Sequence, residues 1–159
     1  MKAAILVVSD RASRGEREDA SAPAIAEALG AGDVIAREIV PDERSEIAAA
    51  IARLVDETGA DLVLTTGGTG IGPRDVTPEA TRDVLDFEIP GLAEIMRGKS
   101  FATTPTAALS RAVAGARGRA LIVNLPGSPK GARECLEFIL PAIPHALELL
   151  AGQVRDCAR

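Results

Sequence analysis

The sequence predicts a single-domain α/β protein, built as a three-layer α/β/α sandwich around a mostly parallel sheet. Apolar segments of strand length recur along the chain with little polar alternation, which is typical of parallel strands covered on both faces. Segments with helical spacing separate them, as in βαβ units. The chain has 159 residues, of which 47% are hydrophobic, and this suffices for one core of ordinary size. We therefore expect residues 1–159 to form one domain.

The first half of the chain indicates strands that alternate with helices. A helix is expected over residues 22–29, because Pro23 suits a first helical turn and Gly30 suits a helix end. A further helix, before Gly59, is indicated by apolar residues at helical spacing: Ile47, Ile51, Leu54 and Val55. The predicted strands of the whole chain cover residues 3–9, Val34–Val40, Leu62–Thr66 and Ala120–Leu125. The second and third strands with the helix between them form a βαβ crossover.

The second half of the chain is predicted to be largely helical. Residues 90–115 carry mostly helical signals, which Pro105 interrupts. The last helix is expected to begin at Ser128-Pro129, a favourable N-cap followed by proline in the first turn. Pro141 and Pro144 should kink or divide that helix, since proline lacks the N–H that a helix interior needs.

The composition excludes several classes of function. The formal net charge is −5 and no basic run is present, so we expect no nucleic-acid partner. No apolar stretch approaches the ~20 residues of a membrane span, so we expect a cytoplasmic protein without membrane contact. Cys135 and Cys157 lack metal-ligand spacing and are interpreted as structural or incidental residues that form no disulfide. His145, the only histidine, is interpreted as a packed or surface residue rather than a general base.

Residues 65–79, which we call the glycine loop, are the strongest functional signal in the chain. They follow the third strand and contain Gly67-Gly68-Thr69-Gly70. Glycines let backbone N–H groups surround a phosphate, and threonine hydroxyls add donors. Thr77 is predicted to cap the following helix, with Pro78 in its first turn. The spacing fits neither a Walker A loop nor G-x-G-x-x-G, so the loop is either another phosphate cradle or a sharp turn.

Acidic side chains follow the predicted strands at the edge where ligands bind in α/β sheets. Asp42 and Asp75 are the carboxylates we expect at this edge, and Mg²⁺ commonly takes one or two carboxylates together with substrate phosphates. Asp42 is equally compatible with a turn, and Asp75 with a cap or a partner of Arg74. Asp10, followed by Arg11, is either catalytic or a cap. Candidate anion contacts are Arg74, Lys99 and Lys130.

Several separated motifs, taken in order, resemble the MogA-like molybdopterin adenylyltransferases over nearly the whole chain. They are Val8–Ser13 of the first loop, Val40-Pro41-Asp42-Glu43, Thr65–Thr81, Leu109-Ser110-Arg111, and Asn124 to Pro129. The resemblance implies a three-layer fold, a homotrimer, and transfer of AMP from ATP to the terminal phosphate of molybdopterin with release of pyrophosphate. It also implies Mg²⁺ and a partner protein that inserts molybdenum.

The resemblance further implies roles for individual residues. Asp42 and Asp75 would be the acidic residues required for catalysis, and they would hold Mg²⁺. Molybdopterin or its phosphate would be bound by Thr66, Gly67, Gly68, Thr69, Gly70 and Ser128, and the nucleotide by Ser9, Asp10, Arg11 and Arg74.

Two other functions compete with this hypothesis. A module of the same superfamily would bind molybdopterin without adenylylating it, but a passive binder of an anion gains little from two neighbouring carboxylates. A phosphoacceptor receiver domain is suggested by Asp10 and Lys130, but it requires an aspartate at the end of the third strand. The chain has Thr65-Thr66-Gly67 there.

Overall fold

The computed structural model describes residues 1–153 and contains a six-stranded sheet in the order β2-β1-β3-β6-β5-β4. The strands are β1 (Ala3–Val8), β2 (Val34–Val40), β3 (Leu62–Thr66), β4 (Phe87–Glu88), β5 (Ala114–Arg117) and β6 (Ala120–Leu125). The helices are α1 (Asp10–Ser13), α2 (Ser21–Leu29), α3 (Arg44–Asp56), α4 (Thr77–Arg82), α5 (Pro90–Phe101), α6 (Pro129–Ile139) and α7 (Ile143–Leu150). Short 3₁₀ turns cover Ala31–Asp33, Pro105–Leu109 and Leu140–Ala142. Cys157 lies outside the described residues.

The four strands predicted from apolar runs are the four parallel strands of the sheet. β1 pairs in parallel with β2 and β3, and β3 pairs in parallel with β6. Every residue of β1, β3 and β6 is buried, because helices cover both faces of these central strands. β2 lies at the sheet edge, and Ile35 and Ile39 on one of its faces are exposed.

The core lies in two layers, one on each face of the sheet. One layer packs α2, α5, α6 and α7 against side chains such as Ile5 and Leu64. The other packs α3 against side chains such as Leu6 and Val63, and Ala80 of α4 joins it. The alternation of neighbouring strand residues between the layers follows from the two-residue repeat of a strand. The predicted three-layer, mostly parallel fold is confirmed.

The prediction for residues 90–115 was only partly right. α5 and a 3₁₀ turn occupy most of this segment, but its end begins β5, which pairs antiparallel with β6 and with the two-residue strand β4. The sequence shows no apolar run here, since the strand contains Gly115 and ends at Arg117. Gly115 is needed for packing, because a Cβ there would lie 2.5 Å from the Phe87 carbonyl oxygen.

The predicted start of the last helix, at Ser128-Pro129, is confirmed. Ser128 caps α6, and its hydroxyl accepts a hydrogen bond from the Gly131 N–H at 3.1 Å. The predicted division by proline also occurs: α6 ends at Ile139, a 3₁₀ turn containing Pro141 follows, and α7 begins just before Pro144. Within residues 1–153, no helix has both the length and the apolar character that crossing a bilayer requires.

Candidate active site

The loops that follow β1, β2, β3 and β6 meet at one edge of the sheet, and we call these four loops the rim. The Ser9 N–H donates to the Val40 carbonyl oxygen at 2.9 Å, which ties the first loop to the second. The Thr66 hydroxyl donates to the Pro126 carbonyl oxygen at 2.8 Å, which ties the third loop to the fourth. Because Thr66 is buried, its hydroxyl holds the third and fourth loops together and does not face solvent.

Asp10 and Asp42 bind each other's backbone across the first two loops. The Asp10 N–H donates to Asp42 Oδ2 at 2.8 Å, and the Asp42 N–H donates to Asp10 Oδ1 at 3.0 Å. Burial raises the pKa of Asp42 above its ordinary value, and the charges of Asp10 and Asp75 add to this effect. The hydrogen bond from Asp10 and the charge of Arg74 offset part of it. Asp42 is therefore a carboxylate that a nearby cation would stabilise.

Arg74 connects the glycine loop to the first two loops of the rim. Its guanidinium donates to both carboxylate oxygens of Asp10 at 3.0 Å and to Glu43 at 2.8 Å. The hydrogen bonds from Arg74 lower the pKa of Asp10, so this carboxylate stays ionised. The sequence had suggested Asp75 as a partner of Arg74, but the carboxylates that Arg74 binds are those of Asp10 and Glu43. Arg11 is exposed on α1.

The glycine loop makes its turn at two glycines with positive φ, Gly67 at +103° and Gly68 at +64°. The Thr77 hydroxyl donates to the Gly67 carbonyl oxygen at 2.9 Å, and the Thr77 N–H donates to the Gly68 carbonyl oxygen at 3.1 Å. The prediction that Thr77 caps α4 was wrong: Val76 is the N-cap and Thr77 is the first helical residue. The threonine is buried and holds the turn, which a local sequence pattern does not reveal.

Asp42 and Asp75 both lie against glycines of this loop. A Cβ at Gly68 would lie 3.2 Å from Asp42 Oδ1, and one at Gly70 would lie 2.9 Å from Asp75 Oδ2. Asp75 Oδ2 also accepts a hydrogen bond from the Gly72 N–H at 2.8 Å. The structure thus brings the two carboxylates to one loop, and their catalytic role stays a prediction.

A cavity of about 430 Å³ opens between the glycine loop, α5, the 3₁₀ turn at Pro105–Leu109 and the start of α6. Its lining is mostly apolar, with Ala93 and Met96 from α5 and Leu109 from the turn. Thr69, Ser110, Ser128 and Lys130 bring polar groups to it from several elements, and the fully buried Asn124 forms part of its wall. A mostly apolar cavity with a few convergent polar groups is typical of a small-molecule site.

A second cavity of about 360 Å³ borders the end of β3, between the first loop and the start of α6. Ser9, Thr66, Gly67 and Ser128 line it, and Ser128 lines both cavities. Neither cavity is lined by Asp42 or Asp75, which border the glycine loop instead. Within residues 1–153, no group of three or more histidine, cysteine or acidic side chains is arranged to hold a metal ion.

Several functional candidates gain or lose support from their positions. Lys130 lines the larger cavity, whereas Lys99 places its Nζ 5.3 Å from the centre of the Phe138 ring. His145 is on the surface of α7 beside Glu148, as the sequence predicted. Sequence reasoning assigned no role to Ser110 or Asn124, although both belong to segments that carry the family resemblance. Their place in the larger cavity follows from the packing of α5 and β6, which no single motif shows.

Fold and rim together define a class: an α/β protein with a mostly parallel sheet, whose polar loops and two cavities lie where the parallel strands end. Residues 4–145 match the family described as "Probable molybdopterin binding domain". The chain therefore belongs to this molybdopterin-binding family of molybdenum cofactor biosynthesis.

Relatives and a solved structure agree with this assignment. The chain is 49% identical to a protein of Helicobacter pylori strain J99 named molybdopterin adenylyltransferase, with 93% of this chain and 86% of the relative covered. It is 42% identical to the Escherichia coli K12 protein of the same name, with 99% and 89% covered. A crystal structure of the molybdopterin biosynthesis enzyme MoaB from Thermus thermophilus is 57% identical over 95% of this chain and 96% of that one, with a TM-score of 0.89.

Proposed function

We propose that this protein transfers AMP from ATP to the terminal phosphate of molybdopterin, giving adenylylated molybdopterin and pyrophosphate. The observation that carries the proposal is the pair of carboxylates, Asp42 and Asp75, held against a glycine loop between two cavities. A protein that merely binds an anionic ligand gains little from carboxylates beside it. The relatives named molybdopterin adenylyltransferase support the same reaction.

The two cavities suit the two substrates. We assign the larger cavity to molybdopterin, since its apolar walls suit a ring system and the Ser110 hydroxyl can form a hydrogen bond at one side. We assign the smaller cavity, with Ser9, to the nucleotide. Ser128 lines both cavities, so the reacting phosphates meet between them. The residues assigned to these phosphates are Thr66, Gly67, Gly68, Thr69, Gly70 and Ser128.

The chemistry requires alignment and charge neutralisation more than a strong base. An oxygen of the molybdopterin phosphate attacks the α-phosphorus of ATP. The bond from that phosphorus to the oxygen that bridges it to the β-phosphorus breaks, and this oxygen leaves as a terminal oxygen of pyrophosphate. The attacking phosphate is largely ionised near neutral pH, so no side chain has to remove a proton from it. Backbone N–H groups of the glycine loop and the N-terminus of α6, at Ser128, stabilise the negative charge.

Mg²⁺ fits the acidic groups of the rim. Asp42 and Asp75 supply the oxygen ligands that this ion prefers, and burial raises the pKa of Asp42, so a cation beside it would stabilise its charge. With only two carboxylates, the remaining ligands would come from phosphates and water. When bound there, Mg²⁺ would offset repulsion between the two substrates and stabilise the departing pyrophosphate.

Asp10, Arg11 and Arg74 complete the proposed nucleotide site. Arg74 is about half exposed while it contacts Asp10 and Glu43, so it can face a phosphate without leaving them. Asp10 positions Arg74 and the backbone of Asp42. Arg11 lies on exposed α1 beside them and adds positive charge.

The assembly and setting of the protein follow from the family resemblance and the reaction. We infer a homotrimer in the cytoplasm, where ATP is available. The product is an activated cofactor precursor, so we also infer a partner protein that inserts molybdenum into it.

An anaerobic assay with molybdopterin, ATP and Mg²⁺ tests the function, with adenylylated product followed by mass spectrometry. Asp75→Asn removes the charge but keeps an oxygen for the Gly72 N–H, and we expect it to lower turnover by about 100-fold or more. Asp86→Asn is the matched control, because Asp86 accepts a hydrogen bond from the Gly118 N–H at 2.6 Å, outside the rim. Molybdopterin binding without product from the wild type would identify a binding module instead.

A further inference from the structure

Arg111, in the segment between the 3₁₀ turn and β5, contacts the glycine loop with both its backbone and its side chain. Its N–H donates to the Thr69 carbonyl oxygen at 2.8 Å. Its Nε donates to the Gly70 carbonyl oxygen at 2.7 Å, and its Nη2 donates to the Asp75 carbonyl oxygen at 2.6 Å. One residue therefore binds the glycine loop on both sides of the turn that leads to Asp75.

The charge of Arg111 is balanced by Glu79 on α4, which its Nη1 contacts. Burial raises the pKa of Glu79. The hydrogen bond and charge of Arg111, together with a backbone hydrogen bond and the charge of Arg82, outweigh this effect and leave that pKa below its ordinary value. The arginine side chain is 37% exposed, so its ion pair is partly shielded from water. The guanidinium thus joins two loop carbonyls to the first turn of a helix.

The shape of the guanidinium explains why an arginine stands here. Its donors form a rigid planar fork, whereas a lysine ammonium is a compact charge on a flexible stem. Gly70 and Gly72 make this part of the loop conformationally permissive. The residues from Gly70 to Val76 belong to no helix or strand, so their shape depends on such contacts.

The contacts also set the direction of backbone N–H groups. In a planar trans peptide the N–H points opposite to the C=O. Since the Thr69 and Gly70 carbonyl oxygens face Arg111, the N–H groups of Gly70 and Ile71 face away from it. Both Gly70 and Ile71 line the larger cavity.

We propose that Arg111 is a positioning residue, which holds the glycine loop so that Asp75 and the loop N–H groups meet the reacting phosphates. It acts through the backbone it binds, and it touches neither substrate. The proposal rests on the adenylyl transfer proposed above. It assigns a role to Arg111 of the Leu109-Ser110-Arg111 motif, which the sequence analysis left without one.

Arg111→Gln tests the proposal beside a matched control, Arg117→Gln. Arg117 likewise donates to a backbone carbonyl, that of Val84, and to a carboxylate, that of Asp56. It lies far from the rim, at the end of the sheet where the parallel strands begin, since it pairs with Ala120 at the start of β6. Both variants lose one arginine of similar surroundings, so their stability losses should be comparable.

The expected result is a loss of turnover rather than of binding. Misplacing a catalytic group by about 1 Å can cost about 100-fold in rate, so we expect Arg111→Gln to lower kcat by about 100-fold. The KM for molybdopterin should change little, because α5 and α6 still form most of the larger cavity. Arg111→Lys should retain more activity than Arg111→Gln, and it serves as the test if the glutamine variant does not fold. Arg117→Gln should keep the wild-type kcat.

Amide hydrogen exchange gives a readout that does not depend on activity. Arg111→Gln should speed exchange in residues 67–76 and leave α3 unchanged, whereas Arg117→Gln should not affect residues 67–76. A wild-type kcat in Arg111→Gln would overturn the positioning role. If the wild type itself forms no product, the proposed function fails, and unchanged exchange in the glycine loop would then overturn the role of Arg111 separately.

Discussion

Replacing Gly67 by alanine should destabilise the protein and disturb the rim. Two effects contribute, and the free-energy cost of each can be estimated separately. Gly67 has φ of +103°, a conformation that costs an L-residue about 2 kcal/mol. The new Cβ would also overlap the Val8 carbonyl oxygen. This oxygen belongs to a central strand that cannot shift easily, and overpacking of this kind costs about 2 kcal/mol. Together the two effects predict a loss of about 4 kcal/mol in the free energy of unfolding.

Gly59→Ala separates the two effects, because Gly59 has φ of +70° and a Cβ there would have no neighbouring atom within 4 Å. We expect this control to lose only about 1 kcal/mol in urea unfolding and to keep the wild-type adenylylation rate. Gly67→Ala should also turn over more slowly at temperatures where it is fully folded, since the loop must move away from β1. Equal destabilisation by the two substitutions would refute the argument that the close approach of Gly67 to Val8 matters.

Two further predictions concern polar groups, one part-buried and one fully buried. The pKa of Asp42 is raised in the folded state, so the folded protein binds this proton more tightly than the unfolded chain does. The resulting contribution to the free energy of unfolding is fully present below about pH 3.8 and is lost as pH rises through the raised pKa. Urea unfolding should therefore show Asp42→Asn gaining stability relative to wild type from pH 3.8 upward, and a pH-independent difference would contradict this. Asn124, fully buried, donates to the Thr65 and Thr81 hydroxyls and accepts from the Val113 N–H. Asn124→Leu should cost about 3 kcal/mol in the same experiment, and a loss below about 1 kcal/mol would show that these groups find other partners.

The part-buried carboxylate Asp42 illustrates a conflict between stability and the proposed function. Its surroundings penalise the negative charge that a magnesium ligand must carry. Arg74 reduces this penalty but is itself bound by Asp10 and Glu43. Replacing Asp42 should therefore raise stability near neutral pH, and the cost of keeping the carboxylate fits the catalytic role proposed above.

The parallel part of the sheet could be predicted because its burial on both faces leaves a direct mark in the sequence, as continuous apolar runs. Strands buried on both faces must be apolar throughout, so β1, β3 and β6 are visible as runs in the sequence. The antiparallel edge was missed for the converse reason. β4 has two exposed residues and β5 contains Gly115, so their pairing depends on neighbours rather than on composition.

For the candidate site, the sequence by itself determined which polar residues follow each parallel strand, and hence that Asp10, Asp42 and the glycine loop share one edge. Only the tertiary structure decided which groups bind one another and where the cavities open. Arg111 reaches Gly70 across 41 positions of the chain, and Arg74 reaches Asp10 across 64. Such contacts are set by the packing of α5, α4 and the strands. The physical reason is that a strand end specifies an edge of the sheet, whereas a side-chain partner depends on every element packed around it.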